Sequence, residues 1–162
     1  MPSFDMISEI NKHEVQNAFN QASREFNQRF DFRNTGVEIK QTDNGFYLSS
    51  KSEERIKAAY EVLCDKFLKR KLSLKFLDPK KEKITGKQTW EKEVKLKDGI
   101  DKENSKIIIN FIKSNKDIKV TTTIKDKIVR VNSKKKDELQ KIISIIEKKS
   151  FAIKISFNNF RN

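Results

Sequence analysis

Across 162 residues there is one cysteine, one histidine, four glycines and two prolines. Each scarcity excludes something. Cys64 has no partner within the chain, so no intramolecular disulfide forms. With His13 as the only imidazole, there is no ligand set for a His- or Cys-based zinc site. A Ser-His-Asp triad would need His13, which sits beside Glu14 at the start of a helix and reads as a surface residue. Gly36, Gly45, Gly86 and Gly99 stand far apart, so no glycine-rich phosphate loop of the GxxxxGK[ST] type can be built. No apolar run approaches the roughly 18 residues of a membrane span. The opening Met1 to Ile10 carries Asp5 and Glu9 and does not read as a signal peptide. The expectation is a cytoplasmic, non-catalytic protein without metal or cofactor, and without a membrane partner.

What is abundant is positive charge. Lysine and arginine number 36 against 23 acids, a net charge of +13. Residues 1–81 carry 15 bases and 12 acids, whereas residues 82–162 carry 21 and 11. Such an excess attracts polyanions, RNA and nucleotides among them. Only seven of the bases are arginine, however, and a lysine-rich solvated surface fits the composition equally well.

Hydrophobic periodicity divides the chain into two similar halves. Ser3 to Ile10 alternates as a strand, and Asn11 is placed to cap a helix bearing Val15, Ala18, Phe19, Ala22 and Phe26. Val37 and Ile39, then Phe46 and Leu48, flank Asn44-Gly45, a hairpin signal. Ser52 caps a second helix with Ile56, Ala59, Tyr60, Leu63 and Phe67 on one stripe, and Leu72, Leu74 and Phe76 alternate in a fourth strand. The second half repeats the order. A strand carries Trp90, Val94 and Leu96, and Asp101 caps a helix bearing Ile107, Ile108, Phe111 and Ile112. A hairpin turns at Asp126-Lys127, Ser133 caps a helix bearing Leu139, Ile142 and Ile146, and Phe151 to Phe157 close as a strand.

The predicted fold class is α+β: two ferredoxin-like βαββαβ units, each a four-stranded antiparallel sheet with two helices on one face. The boundaries read as 1–78, a basic linker at 79–89, and 90–162. Alternation does not name pairing partners, so exchange of strands between the two halves stays open.

Candidate binding residues follow from charge and exposure. Lys95, Lys97, Lys119, Arg130 and Lys154 fall on outward strand positions of the second half and would form a cationic face suited to phosphates. Arg29 and Arg33 bracket Phe30-Asp31-Phe32 in a connection. That pattern suits a stacking and phosphate pocket, and suits equally a hydrophobic plug with Asp31 paired to an arginine. Arg161 ends the chain beside Phe160. A run from Lys66 to Lys87 is also basic, though cations after a helix C-terminus have a structural benefit of their own.

Met1-Pro-Ser-Phe-Asp5, Arg29-Phe-Asp-Phe32, Val94-Lys-Leu-Lys-Asp-Gly-Ile-Asp101, Val129-Arg-Val131 and Asn159-Phe-Arg161 occur in order over the whole chain. In these segments the sequence resembles the YajQ family of nucleotide-binding proteins. Departures are Arg33 in place of lysine, Gly36 displaced by Asn34-Thr35, Asn162 in place of an acid, and a divergent linker. The resemblance implies two ferredoxin-like domains in a bacterial protein. It also implies tRNA, guanine nucleotides or cyclic di-GMP as ligands, and a protein or DNA partner in regulatory members. The resulting expectation is a nucleotide- or RNA-binding protein; the alternative is a regulatory scaffold whose sheet faces are covered by a protein partner.

Overall fold

A computed structural model describes all 162 residues. They form four α-helices and two antiparallel sheets, in two compact units. No helix is long and apolar enough to cross a membrane.

The first unit comprises Met1–Glu9 and Asp98–Asn162. Its strands are β1 (Ser3–Ile7), β7 (Thr121–Lys125), β8 (Ile128–Asn132) and β9 (Ser156–Arg161), with helices α3 (Lys102–Ser114) and α4 (Lys136–Lys148). The sheet order is β7-β8-β1-β9, with every pair antiparallel. This is the split βαββαβ arrangement. Phe4 and Met6 of β1 face Val131 and Val129 of β8, and all four are fully buried. Ile108 and Ile112 of α3 join Leu139, Ile142 and Ile146 of α4 in the same core. Phe111 and Phe151 meet edge to face, with centroids 5.6 Å apart.

The second unit is Ile10–Lys97. Here α1 (Lys12–Gln28) and α2 (Glu53–Lys69) cover a sheet of β2 (Glu38–Thr42), β3 (Gly45–Ser50), β4 (Leu77–Pro79), β5 (Lys83–Ile84) and β6 (Trp90–Leu96). The main path runs β2-β3-β6-β4, with β5 also on β6. Alanines 18, 22 and 59 are fully buried, which lets the helices approach closely over Phe46, Leu48 and Leu63. Phe46 stacks on Phe19 and meets Phe67 edge-on. Gly45 is obligatory: its φ is +153°, and a Cβ there would lie 2.1 Å from the Val94 carbonyl oxygen on β6.

The boundaries 1–78 and 90–162 are therefore corrected. The opening strand pairs within the first unit, and the strand at 90–96 pairs within the second. Both exchanged strands are central, not edge, strands of their sheets. The second unit is inserted between β1 and α3 of the first, and its own central strand comes last in the chain. Period-2 alternation looks the same in either sheet, so Phe4/Met6 and Val94 carry no mark of their partner.

Smaller differences have local causes. Residues 79–89 are not a free linker: β5 pairs with Trp90 and Glu91. The Lys92 ammonium, on a side chain 9% exposed, donates to Glu82 Oε1 at 3.0 Å and to the Lys80 carbonyl at 2.9 Å. The Ser73 hydroxyl accepts from Lys75 N–H and sets a 3-10 turn at Leu74–Phe76, so the fourth strand begins only at Leu77. Asn11, Ser52 and Asp101 cap their helices as expected. Ser133 does not cap α4; the N-cap residue is Lys135, which offers no side-chain bond. The closing strand begins at Ser156, because Phe151 and Ile153 enter the core ahead of it.

The exchange predicts which fragments fold. Residues 10–97 contain every strand of the second sheet and should unfold cooperatively on heating, followed by circular dichroism. Residues 1–78 lack β6 and should show no cooperative transition. A sharp transition in the shorter fragment would refute the pairing.

Candidate functional site

The connection leaving α1 is built by side chains of opposite roles. Arg29 N–H donates to the Glu25 carbonyl at 2.8 Å, and Phe30–Phe32 make one 3-10 turn. Phe32 is 4% exposed and meets Phe26 edge to face at 5.5 Å; it is a core residue. Arg29 lies over the Phe32 ring at 4.6 Å, and its Nε donates to Asp31 Oδ1 at 2.7 Å. Asp31 beside it raises the Arg29 guanidinium above its ordinary value. Arg55 NH1 adds a second cation 3.7 Å from Asp31. Arg29, Asp31 and Phe32 thus clamp the turn.

The other half of the motif faces outward. Phe30 is 80% exposed, and the Arg33 guanidinium sits 5.6 Å above its ring with no carboxylate partner. The loop returns to the scaffold through the Thr35 carbonyl, which accepts from Lys51 N–H at 3.0 Å and from the Ser50 hydroxyl at 3.1 Å. An exposed aromatic ring and a free guanidinium on a fastened turn can stack a planar group and bind phosphate.

The residues of the expected cationic face are divided between the two units. Lys95 and Lys97 belong to the second unit; Lys119, Arg130, Lys154 and Arg161 belong to the first. On β6, Lys95 shares its open face with Glu91 and Glu93, and Tyr47 donates its hydroxyl to Glu93 at 3.1 Å. That face is mixed in sign. Recounted by unit, the bases and acids number 16 and 10 in the first unit and 20 and 13 in the second. The asymmetry seen along the chain disappears once the strands are exchanged.

Arg130 is engaged. Its Nε donates to Asp5 Oδ1 at 2.8 Å, and NH2 lies 3.3 Å from Oδ2. Asn159 Nδ2 donates to the same carboxylate at 2.8 Å, and Arg161 Nε donates to Asn159 Oδ1 at 3.4 Å. Asn159 adopts a φ of +53°, beside the register shift where β9 passes β1. The Asp5 side chain is 6% exposed, and the guanidinium of Arg130 holds its carboxyl below the usual range. Both ends of the chain meet in this cluster.

Four bases in the run from Lys66 to Lys87 are held by carboxylates. Lys66 bonds Glu25 at 2.9 Å, Arg70 makes two 3.0 Å bonds to Glu14, and Lys69 and Lys80 pair with Asp65 and Asp78. Lys119 differs. It borders a cleft of about 530 Å³ in the first unit, together with Lys134 and Lys135. Sequence reasoning singled out Lys119 but missed its neighbours. The Ser133-Lys134-Lys135-Lys136 run was the available signal.

A family model described as "Nucleotide-binding protein YajQ-like" matches residues 2–161. A protein of Carboxydothermus hydrogenoformans named "Nucleotide-binding protein" is 43% identical over 161 residues, covering 98% of this chain and 97% of its own. One of the same name from Thermobifida fusca is also 43% identical, with the same coverage. A nucleotide-binding protein of Pseudomonas putida strain GB-1 is 40% identical over the full length of both chains.

The Asp5 cluster yields a stability prediction. Because the folded state depresses the Asp5 pKa, its contribution is present above the ordinary carboxylate value and lost as pH falls through the folded one. Asp5→Asn should lower the unfolding free energy by about 3 kcal/mol at neutral pH, since a buried charge loses its partner. The gap from wild type should narrow below about pH 4. Urea titrations at several pH values measure it, and a gap independent of pH would refute the assignment.

Proposed function

Because this chain belongs to the YajQ-like family of nucleotide-binding proteins, we propose that it is a non-catalytic binder of phosphate-bearing ligands that docks single-stranded RNA or a nucleotide on Phe30 and Arg33. The observation that carries this reading is the exposed Phe30 ring beneath an unpaired Arg33, on a turn fastened by Asp31 between Arg29 and Arg55. Base stacking on an aromatic side chain contributes about 1–3 kcal/mol and tolerates any base. The guanidinium supplies the phosphate contact through its planar fork. Clamping matters because a preordered turn loses little entropy when a ligand lands.

Non-catalytic binding follows from the residue inventory, which offers one histidine and no clustered glycines. A net charge of +13 adds long-range attraction for tRNA and for smaller ligands such as GTP or cyclic di-GMP. Lys119 and Lys154 of the first unit and Lys95 and Lys97 of the second contribute to that field.

The decisive measurement titrates tRNA, GTP and cyclic di-GMP side by side at two salt concentrations. RNA affinity should fall steeply with salt, because each phosphate contact releases counterions. Arg33→Gln should reduce the slope of log K against log salt by about 0.7. Phe30→Ala should weaken RNA binding about tenfold at either salt concentration. Unchanged RNA affinity in the Phe30→Ala, Arg33→Gln double variant would remove the loop from the site. It would favour a surface that meets a protein partner instead.

A further inference from the structure

We propose that the cleft bordered by Lys119, Lys134 and Lys135 in the first unit is a separate site for the polyphosphate of a nucleoside di- or triphosphate. The cleft lies where the approach to β7, the end of β8 and the first turn of α4 meet, and its volume of about 530 Å³ suits a mononucleotide. All three lysines are exposed, and none of their ammonium groups pairs with a carboxylate. Arg130 and Lys141 of the same unit are held by Asp5 and Glu138, whereas these three lysines border one cleft.

Buried polar groups hold these lysines in place. The Ser133 hydroxyl, in a residue 4% exposed, donates to the Lys119 carbonyl at 2.8 Å and accepts from Lys135 N–H at 3.2 Å. Ser133 N–H in turn donates to the Pro2 carbonyl at 3.1 Å. The one carboxylate lining the cleft, Glu138, is already engaged. Its Oε2 accepts from Lys119 N–H at 3.1 Å, and its Oε1 lies 3.6 Å from Lys141 Nζ. The Lys119 backbone is therefore gripped at both its N–H and its carbonyl. One hydroxyl couples it to Lys135, so the fold fixes the backbone from which these two side chains project.

The chemistry of the walls selects the ligand class. Val120, Met1 and the lysine stems supply carbon surface for a flat, weakly polar body, while Thr121 and Asn132 offer groups that can bond a sugar. Three lysines bordering one cleft put three positive charges within reach of a polyphosphate. A strand of RNA presents only one charge per nucleotide, spread along its length. No side chain caps α4, so an anion at its start would not displace one. The choice of a nucleoside as the flat body rests on the nucleotide-binding reading above; the cationic cleft itself does not depend on the Phe30–Arg33 loop.

Calorimetry on the full chain tests the site with ATP, GTP, guanosine and inorganic pyrophosphate as probes. Wild type should bind the triphosphates more tightly than either guanosine or pyrophosphate. Lys134→Glu with Lys135→Glu should weaken triphosphate binding by at least about tenfold, as should Lys119→Glu, while Lys106→Glu, an exposed lysine of α3 outside the cleft, leaves it unchanged. Both lysines of the double variant are exposed, and a thermal melt matching wild type confirms that the fold persists. Unchanged triphosphate affinity in the charge-reversed variants overturns this site but leaves nucleotide binding elsewhere intact. Loss in Phe30→Ala alone overturns it in favour of the loop. Pyrophosphate binding as tightly as GTP reduces it to a bare phosphate site and overturns the nucleoside assignment. No triphosphate binding by wild type overturns both the site and the broader reading, and RNA displaced from wild type but not from the lysine variants would make the cleft an RNA contact instead.

Discussion

The placement of Ser3–Ile7 between β8 and β9 is the constraint on which the rest of the molecule depends. Those residues supply Phe4 and Met6, fully buried, to one core, and Asp5 to the ion pair with Arg130 on the opposite side of the same strand. A strand has only two faces, and here both are engaged at once. With the opening strand in the first unit, the sheet of the second unit needs another central strand. Trp90–Leu96 fills that place, bounded by β3 on one side and β4 on the other. The chain leaves the first unit after β1 and returns to it only after β6, at Asp98.

This arrangement explains why the family segments, scattered in sequence, have physical reasons to be what they are. Asp5, Arg130, Asn159 and Arg161 come from three segments and form one polar cluster. Gly99, with a φ of +87°, turns the chain where it re-enters the first unit, and its N–H donates to the Ser8 carbonyl. Arg29 and Phe32 hold a turn in the second unit, and Phe30 and Arg33 remain outward. The first two groups hold the structure; the third holds its turn through Arg29 and Phe32 and leaves Phe30 exposed.

Charge is the property that the fold redistributes most. Along the chain the second half looks strongly basic, yet the two units carry similar excesses once Met1–Glu9 and Glu82–Lys97 are counted where they reside. What matters for binding is which cations lack partners. Arg29, Arg70, Arg130, Lys66 and Lys92 are all held by carboxylates. Among those without a carboxylate partner, Arg33 lies over the exposed Phe30 ring and Lys119, Lys134 and Lys135 border one cleft.

The amino-acid sequence by itself determined the elements and most of their ends. Asn11, Ser52 and Asp101 cap helices because a short polar side chain can reach the third amide on, a strictly local event. Helical stripes such as Val15-Ala18-Ala22-Phe26 likewise need only the neighbouring turns. Local competition also produced the misreadings at Ser73 and Ser133, whose hydroxyls chose other backbone partners. Only the tertiary structure decided that β1 and β6 exchange sheets, that Arg130 meets Asp5 across 125 residues of chain, and that Lys119 stands beside Lys134 and Lys135. Strand pairing is made by backbone hydrogen bonds that are alike for every residue, so alternation shows that a strand exists and says nothing about which strand it joins.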